Sequence, residues 1–218
     1  MQKINLILPK VGVEIDFNLE GNRLYFLGGP ISGGGDWQAI AIDIISKLDP
    51  GCYIACPRNY STEHWLFKSS VQLVCENLKN VLEFPNQTLW ERYYLPRASY
   101  YGAIIMWLPC EDEIKPRIIN GPYAQDTYGE LGSWRVKSAN PHVFSFERGK
   151  MRRHFHRVNL VVGAESNFPG LKTIQKNFDD EFGRPYHIQS TLKDTIEKAI
   201  ALAKKNIPNT KIFQTSKT

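Results

Sequence analysis

The residues best suited to chemistry in this chain of 218 residues gather between Tyr101 and Trp134. Gly102-Ala103-Ile104-Ile105-Met106-Trp107-Leu108 is a continuous apolar run ended by Pro109, the pattern of a strand buried on both faces of a parallel sheet. Carboxylates follow it: Glu111, Asp112 and Glu113 in a loop, then Asp126 and Glu130 in Asp126-Thr127-Tyr128-Gly129-Glu130-Leu131-Gly132. Side chains just past the C-terminal end of such a strand lie where open α/β sheets bind ligands. Glu130 reads in two ways. It sits in the first turn of the predicted next helix, where the helix dipole favours a negative charge, so it is either a helix-start residue or a functional carboxylate. The segment alone leaves both open.

A second candidate element precedes it. Residues 23–28 form the first predicted core strand and run into Gly29-Pro30-Ile31-Ser32-Gly33-Gly34-Gly35. Asp36 then suits an N-cap, and Trp37, Ile40, Ala41, Ile44, Ile45 and Leu48 recur at helical spacing before Asp49-Pro50-Gly51 stops the helix. Cys52-Tyr53-Ile54-Ala55-Cys56 is the second core strand, followed by Pro57-Arg58-Asn59. Such a β-loop-α-β unit is right-handed and parallel. Its glycines would let a ligand approach the backbone and leave amides free at a helix N-terminus. The loop is neither a Walker A motif nor G-x-G-x-x-G, so it means a small polar or anionic ligand or a plain tight turn.

The remaining elements position these two. Residues 4–17 alternate loosely and predict an edge strand or hairpin around Pro9-Lys10. Helices are predicted over 61–84, with Trp65, Phe67, Val71, Val74, Leu78 and Leu82 inward, and over 88–97, with Trp90-Glu91 in its first turns. A helix reaching Ala139 follows Glu130; 141–146 and 156–163 are the fourth and fifth core strands, and helices over 171–182 and 191–206 close the fold. The five tryptophans (Trp37, Trp65, Trp90, Trp107 and Trp134) are read as core or pocket wall. The whole is one domain, with 1–20 as an N-terminal extension and 207–218 as a basic tail.

Composition narrows the function classes. No apolar stretch approaches the ~20 residues of a membrane span, and the N-terminus lacks a signal-peptide core, so a cytoplasmic protein without membrane contact is expected. Cys52, Cys56, Cys75 and Cys110 form no secreted framework and no zinc spacing; buried thiols are expected, with no metal and no cofactor. The net charge of +5 concentrates in residues 150–157, a solvated face or a weak polyanion contact, and no motif for specific nucleic-acid binding is present. His154 and His156 share a strand face and read as a surface pair.

Leu27-Gly28-Gly29-Pro30, Asp36-Trp37-Gln38, Pro57-Arg58, Trp90-Glu91, Ile105-Met106-Trp107-Leu108-Pro109 and Tyr128-Gly129-Glu130-Leu131-Gly132 occur in order, with Val161-Val162-Gly163-Ala164-Glu165 and Phe168-Pro169-Gly170 after them. Together they resemble the nucleoside 2-deoxyribosyltransferase-like family over roughly 22–205. The resemblance implies a flavodoxin-like three-layer α/β/α fold with a mostly parallel five-stranded sheet. It implies cleavage of the N-glycosidic bond of a (deoxy)nucleoside or nucleotide, with Glu130 attacking C1′ and the sugar passing to another base or to water. A second carboxylate would manage the leaving group's proton; Asp126 is the first choice, with Glu111 and Glu113 as alternatives. Gly28, Gly29 and Pro30 would line the nucleoside pocket and Asp36, Trp37 and Gln38 contact the base. Arg58 would meet a 5′-phosphate and Glu91 a sugar hydroxyl, and a homo-oligomer is the expected state. Two other readings stay open: cleavage of a nicotinamide dinucleotide or nucleotide by the same chemistry, and a nucleotide sensor in which Glu130 is merely helical. Base, sugar and phosphate preference are not legible.

Overall fold

The computed structural model describes residues 4–17, 22–68, 71–73, 81–118, 121–140, 142–147, 150–155 and 158–205. In chain order the elements are β1 (Ile4–Ile7), β2 (Val11–Val13), β3 (Leu24–Gly28), α1 (Trp37–Leu48), β4 (Tyr53–Ala55), a 3-10 turn (Trp65–Lys68), β5 (Val71–Leu73), β6 (Val81–Glu83) and α2 (Gln87–Tyr101). Then come β7 (Ala103–Leu108), α3 (Gln125–Ala139), β8 (His142–Glu147), β9 (Lys150–Phe155), β10 (Leu160–Ala164), α4 (Leu171–Phe182) and α5 (Leu192–Lys205).

Six strands form one sheet in the order β10-β7-β3-β4-β1-β5, each neighbouring pair parallel. Its central strands are buried on both faces, so successive residues alternate between two cores. Tyr25, Leu27, Ile105 and Trp107 pack with Ile42 and Ile45 of α1 and Ile196 and Ile200 of α5. Leu24, Phe26, Ile104, Met106 and Leu108 pack with Trp90 and Tyr94 of α2, Leu131 and Trp134 of α3 and Phe178 of α4. The result is a three-layer α/β/α fold. From β3 the chain steps to β4 on one side and returns later to β7 on the other. That reversal opens a crevice beyond the C-terminal ends of β3 and β7.

One polar cluster stands inside the first core. Asp49 is 2% exposed at the C-cap of α1. It accepts hydrogen bonds from Arg23 (Nε at 2.8 Å, and Nη2) and from the Tyr25 hydroxyl at 2.7 Å, with Lys204 at 3.6 Å. Cys52, Ile54 and Cys56 alternate toward this same core, so both thiols are buried.

Several expectations are corrected. Residues 4–17 are not a hairpin: β1 lies inside the sheet between β4 and β5, and Lys10, at φ 69°, turns the chain away. β2 then pairs antiparallel with β6 and is fixed to α2, where the Tyr94 hydroxyl accepts from the Val13 amide at 2.8 Å and Trp90 Nε1 donates to the Val11 carbonyl at 3.0 Å. Through β1 and β2, residues 4–13 are thus built into the fold. Residues 61–84 are not one helix; the described part holds the 3-10 turn, β5 and β6, and Trp65 is 42% exposed rather than core. The predicted fourth core strand is instead β8, paired antiparallel with β9 in a separate two-stranded sheet. The expected three-layer α/β/α arrangement with a mostly parallel sheet holds, with β1 and β5 making that sheet six-stranded. The tail 207–218, Cys75 and His156 lie outside the described residues. No helix among the described residues is long and apolar enough to cross a membrane.

Candidate functional site

A cavity of about 820 Å³ occupies the crevice. Phe26, Gly28, Gly29, Pro30, Ile31 and Ser32 line it from β3 and the loop beyond, and Pro57 from the end of β4. The first turns of α2 contribute Gln87, Thr88 and Glu91, the loop after β7 contributes Arg117 and Pro122, and the start of α3 contributes Ala124, Gln125, Asp126, Thr127 and Glu130. Gly28, Gly29, Pro30, Glu91, Asp126 and Glu130, distant in sequence, are therefore walls of one cavity.

Gly29 has a strict reason to be glycine. Its φ is +141°, and a Cβ would collide with the Trp107 carbonyl oxygen and press on the Trp37 ring. Gly29→Ala is expected to lower stability by about 3 kcal/mol, since left-handed strain and overpacking add; a denaturant melt indistinguishable from wild type would refute this.

Asp36, Trp37, Gln38 and Arg58 do not reach the cavity. Trp37 and Gln38 are buried and donate to the Pro30 carbonyl from Nε1 at 2.9 Å and Nε2 at 3.3 Å. Arg58 Nη1 donates to the Gly35 carbonyl and to Gln38 Oε1 at 3.4 Å. Asp36 makes no capping bond; its carboxylate takes Trp65 Nε1 at 3.0 Å and pairs with His64 Nε2 at 3.2 Å and Arg58 at 3.7 Å. These four residues brace the glycine-rich loop from behind. Trp37, Gln38 and Arg58 thus direct their hydrogen bonds to loop carbonyls and not into the cavity.

The three wall carboxylates come from two helices. α3 starts at Gln125, after Ala124 in the left-handed region (φ 59°, ψ 24°), so Asp126 occupies the first turn and Glu130 the second, one turn deeper than expected. Their spacing of four residues puts both on one helix face. Glu91 enters from α2, and Gln87 Nε2 donates to its Oε1 at 2.8 Å. Burial, then the charges of Glu91 and Asp126, push the Glu130 carboxyl up to about 7. Burial also raises Glu91, Asp126 adds to the rise, and the Gln87 hydrogen bond works against it. A half-buried carboxyl that exchanges its proton near neutrality can attack an electrophilic carbon when ionised, or give up a proton when not.

Glu111 and Glu113 stand outside the cavity wall. Glu111 Oε1 accepts from Arg117, from Nε at 3.1 Å and the backbone amide at 3.3 Å, and so positions that arginine. Arg117 is the wall residue that sequence reading missed; it sits six residues from its partner in an irregular loop, where no periodicity marks it. Nη1 donates to the Pro122 carbonyl at 2.6 Å and Nη2 to that of Gly121. Gln87, Thr88, Gln125 and Thr127 were missed as well. No group of three His, Cys, Asp or Glu side chains suited to a metal ion occurs among the described residues.

No protein-family model matches the chain, and no curated protein matches it.

Proposed function

We propose that this chain is a nucleoside 2-deoxyribosyltransferase-like enzyme that cleaves an N-glycosidic bond through a covalent glycosyl-glutamate intermediate. One observation carries the reading: Glu91, Asp126 and Glu130 share a single cavity with Gly28, Gly29 and Pro30 at the sheet's switch point. A pair of carboxylates is what an oxocarbenium-like transition state requires. The ionised Glu130 carboxylate attacks C1′, the C1′–N bond breaks, and the departing base takes a proton from a solvent water positioned by Asp126. Water or a second base then attacks C1′, Asp126 takes the proton released, and the ester bond to Glu130 opens with net retention. Glu91, held by Gln87, accepts from a sugar hydroxyl.

The enzyme on this reading is cytoplasmic and self-associates. Buried free thiols at Cys52 and Cys56 suit a reducing compartment. Ile114 and Ile118, 89% and 99% exposed on the loop that carries Arg117, are apolar surface suited to cover by a second copy.

The test is free-base release, followed by chromatography, from a panel of nucleosides and nucleotides, with and without a second base. Release is expected, and a new nucleoside formed with added base makes the enzyme a transferase. Absence of release from every substrate would remove the glycosidase reading and leave a nucleotide sensor in its place.

A further inference from the structure

We propose that the chain carries a second binding site, at the opposite end of the sheet from the carboxylate cavity, for a small organic phosphate with an aromatic ring. This site does not depend on glycosidic chemistry. A concavity of about 800 Å³, the size of a single small ligand, opens where Val158 and Asn159 lead into β10, between the C-terminal ends of α3 and α4 and the second half of α5. Arg184, His187, Lys198 and Lys205 line it, and among the described residues no carboxylate does. Lys198, Ala201, Leu202 and Lys205 recur at helical spacing, so α5 turns this face to the concavity while Ile196, Ala199, Ile200 and Ala203 face the core.

The charges here are unmatched. Lys47, Arg117, Arg135, Lys193 and Lys204 each lie within 4 Å of a carboxylate, whereas among the described residues Arg184, Lys198 and Lys205 meet none. The acids at the end of α4 are engaged elsewhere. Asp179 accepts from the Tyr186 amide and from Gln175 Nε2, both at 2.7 Å, Glu181 takes Arg135 and Asn140, and Asp180 lines a separate groove. Lys198 Nζ makes one long bond, to the His187 carbonyl at 3.5 Å, and burial lowers its pKa. A partly desolvated ammonium without a counter-charge gains from an anion, and cations converging in a concavity focus their field there. The remaining wall is apolar and preformed. Phe182 and Tyr186 pack with ring centroids 5.0 Å apart. The Tyr186 hydroxyl donates to the Leu160 carbonyl at 3.2 Å, and its own carbonyl accepts from Gln175 Nε2 at 2.6 Å. With Leu202 these rings offer a face to an aromatic ligand, while Arg184, Lys198 and Lys205 meet the phosphate oxygens.

Pyridoxal 5′-phosphate is the probe, since it joins an aromatic ring, a phosphate and an aldehyde. The aldehyde condenses with a lysine amine, releasing water, and borohydride reduction fixes the imine for peptide mapping. A lysine of lowered pKa offers more free amine and reacts first. Lys198 is expected to be the principal labelled residue. About tenfold less label is expected from 5-deoxypyridoxal, which lacks the phosphate, and about tenfold less in the Arg184→Gln/Lys205→Gln double variant. Phenyl phosphate should compete with the probe better than inorganic phosphate does. Label spread evenly over exposed lysines, or undiminished without the phosphate or in the double variant, would overturn the site. Equal competition by inorganic phosphate would overturn the aromatic class of ligand. A single-stranded oligonucleotide that blocks labelling with a steep salt dependence would replace the site with a polyanion surface.

Discussion

Glu130→Gln is expected to lower base release by about three orders of magnitude or more and, at the same time, to make the protein more stable above pH 7. The first effect follows from the role of the carboxylate: an amide oxygen cannot form the glycosyl ester, so the covalent route is lost whatever remains of binding. The second follows from linkage. The Glu130 carboxyl is held near 7 in the folded chain by burial and by Glu91 and Asp126, against about 4.3 for an unfolded glutamate. Between those values the unfolded state has released its proton and the folded state keeps it, so stability falls as pH rises from about 4.5 to about 7. The accumulated loss at pH 8 is about 4 kcal/mol. Glutamine carries no such penalty, so the melting temperatures of variant and wild type should nearly coincide at pH 5 and separate at pH 8. The ionised form is also the one that attacks, so wild-type kcat/KM should climb with pH through about 7 before levelling. A gap that is the same at both pH values would show that Glu130 is not the strained acid described here, and an active Gln variant would remove it from the chemistry.

That strain was not legible in the sequence, although the residue was. The apolar run of β7, the β3–loop–α1–β4 unit and the stripes of α4 and α5 declare themselves because their periods are long or unbroken enough to allow one reading. The stretch over 61–84 does not. Trp65, Phe67 and Val71 fit a helical period, but three-residue strands such as β5 and β6 are too short to show alternation, and an apolar run of that length suits either state. β2 and β6 are about 70 residues apart, and their pairing depends on the αL turn at Lys10 and the anchoring by Trp90 and Tyr94. β8 was recognisable as a strand, but nothing local told which sheet it would join. At the site, sequence order brought Glu91, Asp126 and Glu130 under suspicion. It could not reveal that Asp36, Trp37, Gln38 and Arg58 face the back of the glycine-rich loop, because a helix start shows the same residues whether they point at a ligand or at a carbonyl. Arg117, and its pairing with the candidate Glu111, needed three dimensions altogether.

Asp49→Asn is expected to cost about 3 kcal/mol of stability, the range found when one partner of a buried ion pair is removed. A carboxylate at the C-terminal end of α1 faces the negative end of the helix dipole and is 2% exposed, so two influences oppose its charge. Burial alone would raise its pKa. The hydrogen bonds from Arg23 and Tyr25, with the charges of Arg23 and Lys204, overcome this and hold it below the usual aspartate value. Since the folded-state pKa is depressed, the contribution is fully present above the unfolded value of about 3.9 and is lost as pH falls through the folded value. Chemical denaturation at a series of pH values should therefore find wild type and Asp49→Asn separated by a constant amount from pH 5 to 8 and converging below about pH 4. Arg23 lies at the entry to β3 and Tyr25 within it, so the same cluster sets the angle at which that strand delivers Gly28 and Gly29 to the cavity. Loss of Asp49 should accordingly raise KM more than it lowers kcat, because the pocket wall shifts while the carboxylates of α2 and α3 keep their helices. A variant as stable as wild type at pH 7 would mean that Arg23 and Tyr25 find other partners and that the strand needs no such anchor.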